Sequence, residues 1–138
     1  MLLIDEVERR AETGSIRLMN PAPGVVQTKI VGFAPMEFAH AATDFYTRVK
    51  EQHPDGLWAL HDWSESTGYD PEARRKMIAW NRANRERVFR TEIFFKSRIV
   101  AMGVKVTALF IPMLRGITEA EDFEKSRLEA MEARASFN

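Results

Sequence analysis

The segment GLWALHDWSESTGYDPEARRKMIAWNRANRERV, residues 56–88, decides the fold of this chain. Its run LWAL is continuously apolar, which is typical of a strand covered on both faces, and Leu57–Asp62 is predicted to be that strand. The polar stretch Ser64–Gly68 is predicted to be a loop. Asp70 is then a good N-cap, and Pro71 suits the first position of a helix. The segment therefore predicts a buried central strand whose carboxyl end meets a helix start, where α/β proteins gather ligands and partners.

The composition is that of one ordinary globular domain. The chain has 138 residues, of which 45% are hydrophobic and 29% are charged, enough to bury a core. Lys plus Arg and Asp plus Glu both number 20, so the net charge gives no general attraction to nucleic acid or anionic membranes. The sequence contains no cysteine, which excludes disulfides and thiol catalysis. It shows neither a signal peptide nor a transmembrane span, and a cytoplasmic protein is expected.

Strands and helices alternate along the rest of the chain. Ser15–Asn20 and Val25–Val31 flank a Pro/Gly turn and are predicted to form an antiparallel hairpin. Residues 1–14 are assigned to an N-terminal arm and residues 15–138 to the domain. The sequence does not decide whether the arm forms a short helix or an edge strand. Further helices are predicted at 35–52, 71–87, 98–111 and 118–135, and further strands at 89–96 and 115–117. After the hairpin, this alternation implies parallel strand pairing with right-handed crossovers.

The two C-terminal helices carry predictions about their faces. The helix at 98–111 is apolar almost all round, and its inner face is predicted to hold Ile99, Met102, Val106, Leu109 and Phe110. The outer face then holds the candidates for a dimer or other apolar contact: Val100, Gly103, Val104 and Ile111. Either another part of the chain covers this second face, or it contacts a partner, a second copy or lipid. The last helix is predicted to start with a capping box and to face inward through Phe123, Leu128 and Met131; the box is Thr118 with Glu121.

The element order, together with LWALHDWSESTGYDPEARRKMIAW (57–80) and SRIVAMGVKV (97–106), resembles the SpoIIAA-like STAS (STAS/SEC14) family of bacterial proteins. The resemblance covers roughly Ser15–Met131 and depends on element order more than on one sharp motif. It implies an α/β fold with a mixed sheet of about five strands and about four helices packed mainly on one face.

Anti-sigma-factor antagonists of this family carry Asp-Ser-Ser-Gly at the start of the helix that follows the central strand. Phosphorylation of that serine switches the binding of a partner kinase. In the matching segment here, Asp70 keeps the acidic position, but Pro71 replaces the phosphoacceptor and Glu72 would repel a phosphate. The usual phosphoserine switch is therefore not expected. Three nearby hydroxyls either replace it or serve as turn residues: Ser64, Ser66 and Thr67.

No set of residues predicts catalysis. His40 and His53 lack partners at metal-ligand spacing, and Ser64 has no nucleophile-elbow pattern around it. His61 and Asp62 are neighbours on a strand and face opposite ways, so they cannot serve one site. The glycines are isolated and form no phosphate loop. The sequence therefore predicts a protein that is not an enzyme and has no cofactor and no metal.

Charge is spread unevenly. Arg74 to Arg98 contains nine basic residues against Glu86 and Glu92, whereas the last helix is mainly acidic. These are either solvated helix faces or a basic surface for an acidic partner. Nucleic acid is not the expected partner, because no aromatic residues interleave with the basic ones.

Two functions remain open. The first is a non-enzymatic bacterial regulatory module that acts by protein contact and forms a homodimer through the outer face of helix 98–111. Its candidate partner-binding residues are Asp62, Ser64, Ser66, Thr67, Tyr69, Asp70, Arg74 and Arg75. The second is a binding protein for a lipid or other apolar small molecule. An internal cavity of roughly several hundred Å³ would favour the second function.

Overall fold

The computed structural model describes residues 3–53 and 55–135. They form a six-stranded sheet in the order β1-β2-β3-β4-β5-β6 and four α-helices. The strands are β1 (Val7–Ala11), β2 (Gly14–Ala22), β3 (Val25–Ala34), β4 (Leu57–Tyr69), β5 (Val88–Phe95) and β6 (Leu114–Ile117). The helices are α1 (Met36–Gln52), α2 (Pro71–Ala83), α3 (Arg98–Ala108) and α4 (Ala120–Arg134). The predicted mixed α/β architecture is confirmed.

The N-terminal segment supplies the strand that the sequence did not count. β1 pairs antiparallel with β2, with Val7 opposite Leu18 and Ala11 opposite Gly14. Val7 and Ala11 also pack against the main core. Of the two alternatives left open for this segment, the structure therefore shows the edge strand, and the sheet has six strands rather than about five. β2 and β3 form the predicted antiparallel hairpin.

The central strand β4 is buried because helices cover the sheet on both sides. It pairs in parallel with β3 on one side and with β5 on the other. Leu57 and Ala59 face the core under α1, whereas Trp58 and Leu60 face Phe123 of α4. Alternate residues of a strand point to opposite faces, so the first five residues of β4 are all buried. The doubly covered strand predicted from the run LWAL is confirmed.

β4 is much longer than predicted, and the expected loop Ser64–Gly68 is wrong. The strand continues beside β3 as far as Tyr69, which pairs with Ala34. Beyond Trp63 it no longer pairs with β5, so its polar residues lie at a less covered end of the sheet. Glu65 forms an ion pair of 2.9 Å with Lys29 of β3 there. Polar residues suit such a strand end as well as they suit a loop, which is why the composition was misleading.

The two faces of α3 are the reverse of the prediction. The four residues predicted to face outward are buried within this chain: Val100, Gly103, Val104 and Ile111. Val100 and Val104 pack against Ile93 of β5. Tyr69 packs tightly on the helix, because a Cβ at position 103 would lie 2.1 Å from Tyr69 Oη. The small residue is therefore turned inward, and these four residues are not available as a dimer surface. The five residues predicted to face inward are the ones that lie outside the core: Ile99, Met102, Val106, Leu109 and Phe110.

α4 also departs from its predicted pattern. Its N-cap residue is Glu119 and makes no side-chain capping bond, so the capping box of Thr118 and Glu121 is wrong. Phe123 is buried as predicted, but Leu128 is 54% exposed, and Met131 is only partly buried. The buried residues of α4 include two polar ones, Ser126 and Arg134. They are buried because each donates a hydrogen bond to a group inside the fold, Ser126 to the Glu92 carboxylate and Arg134 to the Gly56 carbonyl. A pattern of apolar residues along the helix does not reveal such contacts.

Truncation of Trp58 should strongly lower the stability of the fold if β4 is the buried centre of the sheet. We expect Trp58→Ala to lower the free energy of unfolding by about 3–5 kcal/mol, as for other large aromatic truncations in cores. Denaturant unfolding measures this. Leu128→Ala is the control, because Leu128 is a large apolar residue that stays exposed on α4, and its loss should cost less than about 0.5 kcal/mol. Equal costs for the two variants would contradict this assignment of the core.

Candidate functional site

A cavity of about 80 Å³ lies between one face of the sheet and the helices α1, α2 and α3. Most of its wall is apolar, and each of these helices contributes to it. Apolar wall residues include Ile16, Phe38, Ala42, Met77, Val100 and Val104. Polar or partly polar side chains also line it, among them Thr28, Tyr46, His61, Trp63 and Thr91. An apolar enclosure with a few polar groups is the usual form of a small-molecule site.

Three of the polar residues form a buried hydrogen-bond chain. Thr28 of β3 lies directly beside His61 of β4 in the parallel register. Tyr46 of α1 reaches down to both, with its Oη 2.7 Å from Thr28 Oγ1 and 3.3 Å from His61 Nδ1. All three residues are buried. This chain fixes α1 on the sheet and holds His61 in place on the floor of the cavity.

Burial sets the protonation of this chain. Desolvation lowers the pKa of His61 to about 4. Desolvation also raises the pKa of Tyr46, although the hydrogen bond with Thr28 opposes that shift. Near neutral pH, His61 is therefore an uncharged imidazole and Tyr46 an uncharged phenol. The floor of the cavity is polar but carries no charge from these groups.

Two residues of the cavity wall each carry a polar atom that has no hydrogen-bond partner within the described part of the chain. These atoms are Trp63 Nε1 and Thr91 Oγ1, and both are buried. Trp63 and His61 stand two residues apart on β4, with their ring centroids 5.4 Å apart. Buried polar groups are normally paired. These two atoms therefore mark places where a ligand or a water molecule can bond.

The eight predicted partner-binding residues do not form one site. Three of them line the cavity, namely Ser66, Tyr69 and Arg74. Arg74 lies over the Tyr69 ring and donates from Nη1 to its Oη at 3.3 Å. Ser66 is buried, and its hydroxyl donates to the Gly68 carbonyl at 3.3 Å.

The other five predicted residues lie outside the cavity wall. Asp62 accepts hydrogen bonds from both the backbone N and Oγ of Ser64, at 3.1 and 2.6 Å. Asp70 caps α2 as predicted, with its Oδ1 accepting from the backbone N of Glu72 at 2.9 Å. Thr67 is exposed on β4, and Arg75 forms an ion pair with Glu72 on the surface of α2.

Sequence reasoning missed the cavity because its polar residues are far apart along the chain. Thr28, His61 and Thr91 belong to three different strands and meet only through the parallel register. One local signal was present. His61 and Trp63 are two residues apart, and on a strand this spacing places both side chains on the same face.

A second feature is the exposed side of α3. Five apolar side chains, which we term the α3 apolar face, lie there: Ile99, Met102 and Val106 of α3, with Leu109 and Phe110 of the turn that follows it. Met102 is 68% exposed and Leu109 is 80% exposed. At a helical spacing of about 100° per residue, these positions fall on one stripe. The structure thus shows an apolar face that the described part of the chain leaves largely exposed.

Basic residues surround the α3 apolar face. Arg98 and Lys105 lie exposed on α3 itself, and Arg82 of α2 lies over the ring of Phe110, 5.8 Å from its centroid. No acidic residue occurs anywhere between Ile93 and Thr118. The face is therefore apolar at its centre and positive at its edge. No helix in residues 3–53 and 55–135 combines the length and apolar character needed to cross a membrane.

No protein-family model and no curated protein matches the sequence. Among solved structures, the chain is similar to an uncharacterized protein of the DUF3478 family from Shewanella loihica PV-4, described as having a SpoIIAA-like fold. The TM-score is 0.59 at 14% sequence identity, over 88% of this chain and 91% of that chain. At this identity the likeness shows the fold alone, and it confirms the fold expected from the sequence.

The buried His61 should make stability depend on pH. In the folded chain His61 stays neutral down to about pH 4, whereas its pKa of 6.5 in the unfolded chain is the ordinary value. Protons therefore bind the unfolded chain first, and stability falls as the pH decreases from about 6.5 to about 4. We expect the wild type to lose about 3 kcal/mol of unfolding free energy relative to His61→Asn across this window. Urea unfolding at a series of pH values measures the difference.

The exposed His40 provides the control for this experiment. His40→Asn should keep the pH dependence of the wild type. Burial and the charge of Arg134 also lower the pKa of His53, but His53 is present in every variant and cancels in the comparison. If His61→Asn and the wild type lose stability in parallel, His61 is not buried as a neutral imidazole.

Proposed function

On the premise that the chain has a SpoIIAA-like fold, we propose that it is a non-enzymatic bacterial regulatory module that acts by binding another protein. The α3 apolar face is the proposed contact surface. The observation that carries this proposal is the exposure of five large apolar residues along one side of α3 and the turn that follows it. Contiguous apolar surface of this kind is uncommon on a monomer and marks interaction sites.

The cavity supports a non-catalytic assignment. Its wall contains no Asp or Glu among the described residues. His61 is uncharged and already hydrogen-bonds to Tyr46, and the hydroxyl of Ser66 donates to a backbone carbonyl. A nucleophilic hydroxyl needs a base within hydrogen-bond reach, and this arrangement provides none for Ser66.

The charges around the α3 apolar face favour an acidic partner over a second copy. A closed two-fold dimer places the same patch of both copies together. The homodimer predicted from the sequence used Val100, Gly103, Val104 and Ile111, which are buried in this chain. In a homodimer through the α3 apolar face instead, Arg98 and Lys105 of both copies would surround one interface. No carboxylate from the adjoining segment Ile93–Thr118 would neutralise them, and like charges at an interface oppose binding. A partner with acidic residues around an apolar groove fits this face better.

The second function was a binding protein for a lipid or other apolar small molecule, and the cavity volume argues against a lipid as its ligand. Sites for drug-sized ligands occupy roughly 300–1,000 Å³, whereas this cavity holds about 80 Å³. A lipid acyl chain with its headgroup does not fit there. The protein-contact function is therefore the better supported of the two that the sequence left open.

We infer that the phosphoserine switch of the family that the sequence resembles has no counterpart here. Pro71 is the first residue of α2, directly after the N-cap Asp70, and it has no hydroxyl. We expect phosphoproteomics on the native protein to find no phosphate between Tyr69 and Arg74. A displaced switch at Ser66 is disfavoured because that side chain is buried, which leaves Ser64 and Thr67 as the nearby sites. A phosphate on Tyr69 would contradict this prediction.

Site-specific photo-crosslinking tests the contact surface. A photoreactive amino acid at position 102 or 109 should give a protein adduct in cells of the source organism, because both side chains are exposed on the α3 apolar face. The same probe at position 128 on α4 is the matched control and should give none. The double variant Arg98→Glu with Lys105→Glu reverses two of the basic charges that surround the α3 apolar face. It should lower the adduct yield about tenfold, which corresponds to a loss of about 1.4 kcal/mol in binding free energy.

Three results would contradict the proposed partner. An adduct with twice the mass of this chain would show a homodimer. An adduct with lipid alone would show a membrane contact. Adducts of equal yield at positions 102 and 128 would show that neither surface is specific.

A further inference from the structure

We propose that the cavity between the sheet and α3 binds a small neutral molecule that has an apolar body and one hydrogen-bond acceptor, as in a short-chain ketone. This site is independent of the protein contact through the α3 apolar face. It is formed by the buried stripe of the same helix, whose Val100 and Val104 line the cavity.

The indole of Trp63 carries the argument for an acceptor. The chain has three tryptophans, and two of them have partners for Nε1. Trp58 donates to Glu92 Oε1 at 3.1 Å, and Trp80 donates to Thr47 Oγ1 at 3.0 Å. Trp63 lines the cavity, and its Nε1 is buried and has no acceptor among the described residues. An indole N–H can only donate, so the missing partner must be an acceptor.

Thr91 adds a second bonding position on the same floor. Thr91 lies opposite Ala59 in the register of β4 and β5, and His61 lies opposite Ile93. The cavity floor thus presents Thr91, His61 and Trp63 in succession along the strands. The hydroxyl of Thr91 is buried and has no partner in the described chain. This hydroxyl can donate or accept a hydrogen bond, so either a ligand or a water molecule can be its partner.

The electrostatics of the cavity favour a neutral ligand. His61 is uncharged, and neither carboxylates nor lysines occur in the wall formed by the described residues. The one charged wall residue, Arg74, already donates to Tyr69 and lies over its ring. A buried carboxylate requires a charge partner or several donors, whereas a ketone oxygen requires one donor.

The cavity volume limits the size of the ligand. An engineered apolar cavity of about 150 Å³ holds benzene, and this cavity has about 80 Å³. Molecules of about five non-hydrogen atoms are the appropriate probes. Butanone, 2-methylbut-1-ene and propanoate have this size and nearly the same shape. They differ in being a neutral acceptor, a molecule without an acceptor, and an anion.

Nuclear magnetic resonance of the full ¹⁵N-labelled chain tests the proposal. Millimolar butanone should shift the indole N–H resonance of Trp63 in a saturable way, while those of Trp58 and Trp80 stay in place. We expect 2-methylbut-1-ene and propanoate to bind at least about tenfold more weakly than butanone. Methyl resonances of Ile93 and Val100, both in the cavity wall, report occupancy for all three probes.

Two conservative variants test the role of each polar atom. Trp63→Phe removes the N–H and should weaken butanone about tenfold without affecting 2-methylbut-1-ene. Thr91→Val is nearly isosteric and provides a second variant if Trp63→Phe does not fold. It should weaken butanone no more than about threefold, since the ketone bonds to Trp63. Met102→Glu, on the exposed side of α3, should leave butanone binding unchanged.

The proposal fails under any of three results. Butanone shifts that stay linear with concentration, in a chain that remains folded, would show that the cavity takes only water. Equal affinity for butanone and 2-methylbut-1-ene would remove the acceptor requirement. Tighter binding of propanoate than of butanone would show that the cavity is an anion-binding site, with Arg74 as the group that binds the carboxylate. None of these results depends on whether a protein partner binds the α3 apolar face.

Discussion

Glu92 of β5 is a carboxylate with no exposed surface, and the arrangement of the sheet under α4 depends on how its charge is balanced. Trp58 Nε1 and Ser126 Oγ donate to it, at 3.1 and 2.5 Å. Arg90 and Arg115 form ion pairs with it, at 3.1 and 3.6 Å. Removing a carboxylate from water costs several kcal/mol unless charges and donors replace the water. These partners come from β4, β5, β6 and α4, so one buried charge holds four elements in register.

The position of α4 on one face of the sheet determines which residues of β4 point to the other face. Because α4 covers Trp58 and Leu60, the alternate residues of β4 must point toward α1, α2 and α3. This sequence of positions begins with Leu57 and Ala59, which complete the apolar core, and continues with His61 and Trp63 in the cavity wall. The floor of the cavity is therefore polar because the apolar part of β4 ends while its helical cover continues.

α3 connects the two proposed sites because it has two apolar stripes. The stripe with Val100 and Val104 closes the cavity, and the stripe with Met102 and Leu109 faces outward. Gly103 allows Tyr69 to pack closely between α3 and the end of β4. A small molecule beneath the helix and a protein above it would thus contact opposite sides of the same short element. The acidic character expected of the partner follows from Arg98 and Lys105 on α3 and from Arg82, which lies over the ring of Phe110 at the edge of the outward stripe.

The sequence by itself determined the features that depend on neighbouring residues. The run LWAL marked the doubly buried strand, and Asp70 with Pro71 marked the start of α2, because caps and periodicity act over a few residues. Tertiary structure decided the rest. Two apolar stripes on α3 have the same period, so the period does not select the inward one. In the structure, Val100 and Val104 pack on Ile93, and Tyr69 packs against Gly103. Likewise, Ser126 is buried in place of Leu128 because Glu92 lies beneath it. Of the candidate site, the sequence placed His61 on the central strand, although β4 continues beyond it to Tyr69. The meeting of Thr28, Tyr46 and Thr91 around His61 requires the register of three strands and one helix.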